Sequence, residues 1–475
     1  MAGLLAVGLT GSACGLRASH EAALAAIQAR DGSAAPGAPS LPATGATAIP
    51  SGTGTLPRAG GSTGPTTITP GGSGGNHRGG SQNTAAGAAA GGGGGAGDGG
   101  ANTGPQCSGP KSTLTIGTVG EQSGVFAPSL LPGVQAVQAW VAAVNAGGGV
   151  ACHPIRYIVK DDGGDPSTSQ SQVQQLVEQD HIVAMVDMDS PIAGNASVRY
   201  LTEHRIPVIG SEGGSDWFYS SPVYFPQLTS GNNAVAGIID AIAAIAKGTD
   251  KHTVGTITCI EVQLCSSAYA VAPGLAAKQH LRVAYRGQVS LTQPDFTSSC
   301  QSAQRAGVNY LDIGLDTNSI ERVIKDCTSI GFHPLYFTGG PLETPSLAAD
   351  PQAEGFYVAS YVDLYNDTAN PQIRSMRAAL AKYAPGLAPS IGTTVGWAAA
   401  QLFQWALEHA ATPTSAGLLK ALVSVRHNDL GGITQPLTFT AGHDAPRVTC
   451  FWLGQIHNGD LRTPPGKPAG RICAS

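Results

Sequence analysis

Hydrolytic chemistry would need a serine presented on a sharp turn, and the nearest fit is Gly210-Ser211-Glu212-Gly213. It lacks the first glycine of G-x-S-x-G, so a nucleophile elbow is not supported. A phosphate-cradling loop would need G-x-x-x-x-G-K-[ST], and Gly109-Pro110-Lys111-Ser112 shares only its tail. Gly117, Gly120 and Gly124 do not have the G-x-G-x-x-G spacing of a dinucleotide site. Asp161, Asp162 and Asp165 could offer oxygens to a cation, yet they read equally as a polar turn after a strand. The 12 histidines show no paired ligand spacing. The residues therefore point to no catalytic group, no metal and no cofactor. With 12% charged residues and a net charge of −5, the chain also lacks the basic footprint of a nucleic-acid binder.

Cysteine is the remaining reactive type, and its usage points to an oxidising compartment. There are 9 cysteines, and setting Cys14 aside leaves an even number. They fall in sequence-local couples, which predicts the disulfides Cys107–Cys152, Cys259–Cys265, Cys300–Cys327 and Cys450–Cys473. No C-x-x-C or partnered His spacing supports metal ligation instead.

The N-terminus fits export. Leu4 to Leu9 is a short apolar run, and Thr10-Gly11-Ser12-Ala13-Cys14 resembles a bacterial lipobox, in which cleavage precedes a lipid-modified cysteine. The pattern departs from that type in having no Lys or Arg before the apolar run, and an ordinary signal peptide or a chance cysteine is the alternative. The reading is a signal peptide over 1–13, then a lipid-anchored segment over 14–31 with a short Ala-rich helix at Ser19 to Arg30. From 32 to 106 the chain is mostly Gly, Ala, Ser, Thr and Pro, and Phe126 is the first aromatic residue of the whole sequence. Such a tract buries too little apolar surface to offset its chain entropy, so it is expected to be a disordered tether. Its root-mean-square span would be on the order of 50 Å. No apolar run approaches the roughly 18 residues of a spanning helix.

The elements that must position a site begin near Lys111. Strand-like runs at 114–120, 155–162, 182–189 and 206–211 are followed by a second series at 253–260, 282–289, 310–316 and 334–340. Val134, Val137, Val141 and Val144 recur at helical spacing, closed by Gly147-Gly148-Gly149, and Val235, Ile238, Ile242 and Ile245 mark a second amphipathic helix. Strands alternating with helices imply parallel sheets built from βαβ units, and the two series part near Thr229-Ser230-Gly231. The predicted fold is α/β, with two lobes and a cleft between them.

On these stretches the chain resembles the type I periplasmic binding proteins of the Leu/Ile/Val-binding class, the receptors of ABC importers. The matching segments include IGTVGEQSG (116–124), IRYIVKDDGGDPS (155–167), VAMVDMDSPIAGNAS (183–197), IPVIGSEGGS (206–215), PDFTSSCQSAQRAGVNYLDIG (294–314), SIGFHPLYFTGG (329–340) and GFYVASY (355–361). The local cysteine couples resemble actinobacterial lipoproteins of this class. The resemblance implies two Rossmann-like lobes with parallel central sheets joined by three hinge crossovers. Lobe one would comprise 111–231 and 362–425, and lobe two 232–361 and 426–475.

It also implies where a ligand sits, since open α/β sheets bind ligands beyond the carboxyl ends of their strands. Ser190 matches the family loop that holds a ligand carboxylate, although Asp189 or Ser190 could merely cap the following helix. Gly213, Gly214 and Ser215 match the second such loop, or form a plain turn. Asp316 and Thr317 match a contact from lobe two, with Asp316 equally suited to cap a helix. Tyr269 falls near a lobe-two aromatic position, and Gly340 near the place of the acid that meets an amino group. No acid stands at Gly339-Gly340, and Glu343 is out of register. Glu121, Asp189 and Glu212 are expected on the lobe-one rim, where they would repel a carboxylate. The expected function is capture of a small polar solute (amino acid, amide or amine-like) for an ABC permease, by a monomer held at the membrane through Cys14. A ligand-sensing lipoprotein or a structural wall-associated lipoprotein are the alternatives.

Overall fold

Leu114–Gly120 (β1) is almost wholly buried, as a strand covered on both faces must be. The computed structural model describes residues 109–211, 214–446, 450–467 and 470–473, all in one compact unit spanning Gly97–Ser475. The expected signal peptide, lipidated Cys14, Ala-rich helix and linker lie outside the described residues, as do Cys107, Glu212 and Gly213.

β1 is the second strand of a fully parallel sheet whose other members are Ile155–Asp161 (β2), Ala184–Met188 (β3), Val208–Ser211 (β4) and Tyr224–Phe225 (β5). Their order is β2-β1-β3-β4-β5. β5 is too short to carry a periodic signal, and the sequence does not announce it. Ala127–Ala146 (α1) buries Val134 and Val137 and ends at Gly147, as its spacing predicts. Pro166–Glu178 (α2) is capped by Asp165, whose side chain accepts from the Thr168 amide at 2.7 Å; the aspartates after β2 are thus a polar turn. Val198–Glu203 (α3) completes the first run.

The second sheet has the order β12-β11-β10-β9-β8-β6-β7. Its parallel part is Thr253–Cys259 (β6), Arg282–Val289 (β7), Tyr310–Gly314 (β8), Leu335–Gly339 (β9) and Tyr357–Ser360 (β10). Cys450–His457 (β11) pairs antiparallel with β10, and Asp460–Arg462 (β12) and Arg471–Cys473 (β13) pair antiparallel with β11. The helices of this lobe are Gly231–Ala246 (α4), Gln263–Lys278 (α5), Thr297–Arg305 (α6), Thr317–Ser329 (α7) and Pro345–Ala349 (α8). Pro371–Tyr383 (α9), Ile391–His409 (α10) and Ser415–Leu422 (α11) then return to the first sheet, with α10 packed on α1, β3 and β4.

The chain crosses between the lobes after β5, after β10 and before β11. The last crossing corrects the expected boundary at 425/426. Phe439 meets Phe225 of β5 edge-on at 5.1 Å, and its amide donates to the Val425 carbonyl. Segment 426–440 therefore lies along lobe one, held by the Asn428–Leu437 bridge. The chain changes lobe near Gln435 and Cys450, where the Gln435 amide group bonds the Cys450 backbone on both sides.

Three of the four expected disulfides are present: Cys259–Cys265, Cys300–Cys327 and Cys450–Cys473. All three lie in the second lobe. Cys152 is also disulfide-bonded, and its expected partner Cys107 is outside the described residues.

Candidate ligand-binding site

A cavity opens between the lobes at the carboxyl ends of the strands. Its volume is about 130 Å³. Lobe one supplies Phe126 and Leu130 from the start of α1, Pro191 after β3, and Gly214 and Ser215 after β4. Lobe two supplies the floor and far wall, among them Val235 and Ile238 of α4, Thr258 of β6, Leu264 of α5, and Asp312 and Gly314 of β8. The walls are hydrocarbon almost throughout.

Backbone shape brings the lobes this close. A Cβ on Gly231 would come within 2.5 Å of Leu264 Cδ1 and 2.7 Å of the Gly214 carbonyl oxygen. Any other residue at 231 would push the 214 loop off α5. Gly340 lines the cavity at φ +53°, a left-handed conformation that suits glycine.

Two polar seams flank the cavity. Thr317 of α7 donates its hydroxyl to the Leu342 carbonyl at 2.9 Å and accepts from Ser129 of α1 at 3.0 Å, joining lobe two to lobe one. Glu343 accepts from the Ile391 amide at the start of α10 and from the Tyr365 hydroxyl, each at 3.4 Å. Burial pushes the Glu343 carboxyl up to about 7, against the pull of these two donors.

Inside the cavity the side-chain polar atoms are few, and most lack protein partners among the described residues. Ser215 Oγ, Thr258 Oγ1 and Asp312 Oδ1 are buried, and none has a hydrogen-bond partner among the described residues. Thr256, directly across from Asp312 in the β6–β8 register, is in the same state at Oγ1. Burial alone raises Asp312 to about 7. Buried polar groups are normally paired, and these oxygens are left open on the cavity wall or, for Thr256, beside it. Tyr361 is different: its hydroxyl donates to the Ala234 carbonyl at 2.7 Å.

Of the residues expected at the site, Gly214, Ser215 and Gly340 stand on the cavity wall. Ser190 does not: it is fully buried and donates to Asp162 Oδ2 at 2.7 Å, tying the end of β3 to the end of β2. Asp316 caps α7 through the Ser319 amide at 3.2 Å, and Thr317 is spent on the seam. Tyr269 faces away, its ring under the Arg286 guanidinium of β7 at 4.4 Å, because α5 presents Leu264, Cys265 and Ala268 to the cavity instead. The expected acidic rim is also corrected. Glu121 is 1% exposed and accepts from the Ile192 amide at 3.1 Å, with burial lifting it to about 7. Asp189 is 2% exposed, and neither lines the cavity. Strand-end loops leave backbone amides to satisfy, and the Glu121 carboxylate is turned inward to one of them.

Asp312 was missed, although an aspartate inside the buried run Tyr-Leu-Asp-Ile-Gly is a readable signal. A charged residue in the middle of a central strand needs a partner, and the sequence offers none nearby.

The fold and cavity are those of a two-lobed solute receptor. A family model for periplasmic binding proteins matches residues 113–460, and the chain belongs to that family. Solved structures agree on the fold. A branched-chain amino acid ABC transporter protein from Thermus thermophilus with bound valine superposes with a TM-score of 0.67 at 18% identity, covering 77% of this chain and 98% of that one. A fatty acid ABC transporter substrate-binding protein from Thermomonospora curvata gives 0.66 at 20% identity, covering 77% and 94%. An ABC transporter solute-binding protein from R. palustris in complex with benzoate gives 0.64 at 17%, covering 76% and 98%. A search of curated protein sequences finds no match.

Proposed function

We propose that this protein is an extracytoplasmic receptor that captures one small solute between its lobes and presents it to an ABC permease. The observation that carries the reading is the cavity itself: walls from both lobes, hydrocarbon lining, and a few orphaned polar atoms. Burying an apolar solute there removes its surface from water, while the polar atoms fix its orientation. The lining refines the expected polar solute to one with a hydrocarbon body and a single polar head. Relatives of the same fold are described with valine, benzoate and fatty acid, each of which has a hydrocarbon part. The three hinge strands let the lobes part to admit the solute and close over it. The lipobox-like segment ending at Cys14 supports tethering of a monomer to the membrane through lipid. The tract over 32–106 would then hold the receptor away from the surface.

The test is thermal unfolding of the full chain, disulfides intact, against small amines, alcohols, carboxylates, amides and amino acids. A solute at a hundred times its dissociation constant should stabilise by about 2.7 kcal/mol. A shift confined to one chemical class supports a receptor. No shift from any class would sink the reading.

A further inference from the structure

Asp312 is the only side chain of formal charge among the described residues that line the cavity. No Lys, Arg or His joins it there, and the titratable Cys265 is locked in a disulfide. The elements packed around it bring no counter-charge. α4 presents Ala234, Val235 and Ile238, β6 presents Thr256 and Thr258, and β9 presents Gly339. The one titratable group facing it is Tyr361, whose hydroxyl is committed to Ala234.

We infer that the solute is a hydrocarbon amine without a carboxylate, its ammonium held by Asp312 on the lobe-two floor. This deepens the solute-capture reading and rests on it. An ammonium carries three N–H donors and no acceptor. The orphaned oxygens of Asp312, Thr258 and Thr256 stand on neighbouring positions of β8 and β6, as acceptors for such a group. Ser215 Oγ lines the same cavity from the opposite lobe, so closing the lobes covers the solute with a further open acceptor. A carboxylate on the same solute would lie in this closed space with a like charge and no cation to offset it. The cost of a like-charge pair within a few ångströms, in a dry site, disfavours amino acids as well as simple acids. The apolar walls then take the hydrocarbon body.

The experiment uses the full chain with its disulfides formed, and four probes sharing one branched body: isoamylamine, isoamyl alcohol, isovalerate and leucine. Titration calorimetry above neutral pH should rank the amine at least tenfold tighter than the alcohol, with isovalerate and leucine weaker still. Amine affinity should fall about tenfold per pH unit once the buffer drops below about 7, as the Asp312 carboxylate takes up a proton. Asp312→Asn should cost the amine tenfold or more and leave the alcohol unchanged; Thr258→Val should weaken the amine by a smaller factor. The Asn variant keeps shape and removes a buried charge, so its unliganded melting temperature should not drop. If it does not fold, the probe ranking and the pH profile of the unaltered chain decide alone. Isovalerate, leucine or the alcohol binding as tightly as the amine, or an Asn variant with intact amine affinity, overturns the inference while solute capture stands. If none of the four binds at millimolar concentration, the inference is overturned and solute capture falls back on the wider panel.

Discussion

At the scale of single residues, cavity glycines decide how much room a solute has. Gly314 of β8 faces the cavity, and a Cβ there would meet nothing closer than Thr258 Cγ2 at 3.7 Å. Gly314→Leu therefore fills the cavity without striking the backbone. We expect it to abolish solute-induced stabilisation while changing the unliganded melting temperature little, as measured by the same thermal scans. Retained binding would mean the solute sits elsewhere. The contrast with Ser190 is instructive. Its place in the chain marks it as a ligand contact, yet Asp162 satisfies its hydroxyl, and a satisfied buried donor has nothing left to offer a ligand. Asp312 is the reverse case, a buried acceptor that the protein leaves open.

At the scale of elements, α1 and α10 pack so closely that glycine is required. A Cβ on Gly396 would lie 2.1 Å from the Gly133 carbonyl oxygen, a backbone atom that cannot step aside. Gly396→Ala should cost about 3 kcal/mol or more in denaturant unfolding, at the upper end of overpacking changes. Gly274→Ala in α5, where a Cβ meets nothing within 4 Å, should gain up to about 1 kcal/mol from helix propensity. Equal effects at the two sites would contradict this packing. These elements also show what could be read in advance. Leu114–Gly120 and Arg282–Val289 match their expected strand bounds, the first as a buried central strand and the second as the half-exposed edge strand of its sheet. The Tyr224–Phe225 strand and the loop over 426–440 escaped, because two residues have no period and an irregular loop has no pattern to follow. The site was less legible than the fold. The family loops were placed, but which side chains turn to the cavity depends on helix rotation, as Tyr269 shows, and on loop carboxylates folding inward, as Glu121 shows.

At the scale of the whole molecule, buried acids set the pH response. Glu121, Asp187, Asp312 and Glu343 are each raised to about 7, chiefly by burial, against an ordinary value near 4. Between those values the folded chain holds protons that the unfolded chain has released. Stability must then fall as pH rises from about 4 to about 7, by up to about 1.4 kcal/mol per pH unit for each proton held. Asp161, Asp165 and Glu354 are shifted down and act oppositely, losing their contribution only in more acidic buffer. The melting temperature of the unliganded chain should thus be higher near pH 5 than near pH 8. Asp187→Asn should flatten part of that difference, since both Asp187 oxygens are buried without a partner among the described residues. A melting temperature that rises steadily from pH 5 to pH 8 would refute this account.

The distribution of the disulfides has a mechanical meaning. All three described bridges close within lobe two, and none spans the hinge. The Cys450–Cys473 bridge short-circuits the last strands, so a pull applied there passes directly into β11 instead of peeling β13 away. The hinge crossings carry no such brace among the three bridges, so the lobes can part while lobe two keeps its shape. Strain would open the clamp before it unravelled the cavity floor.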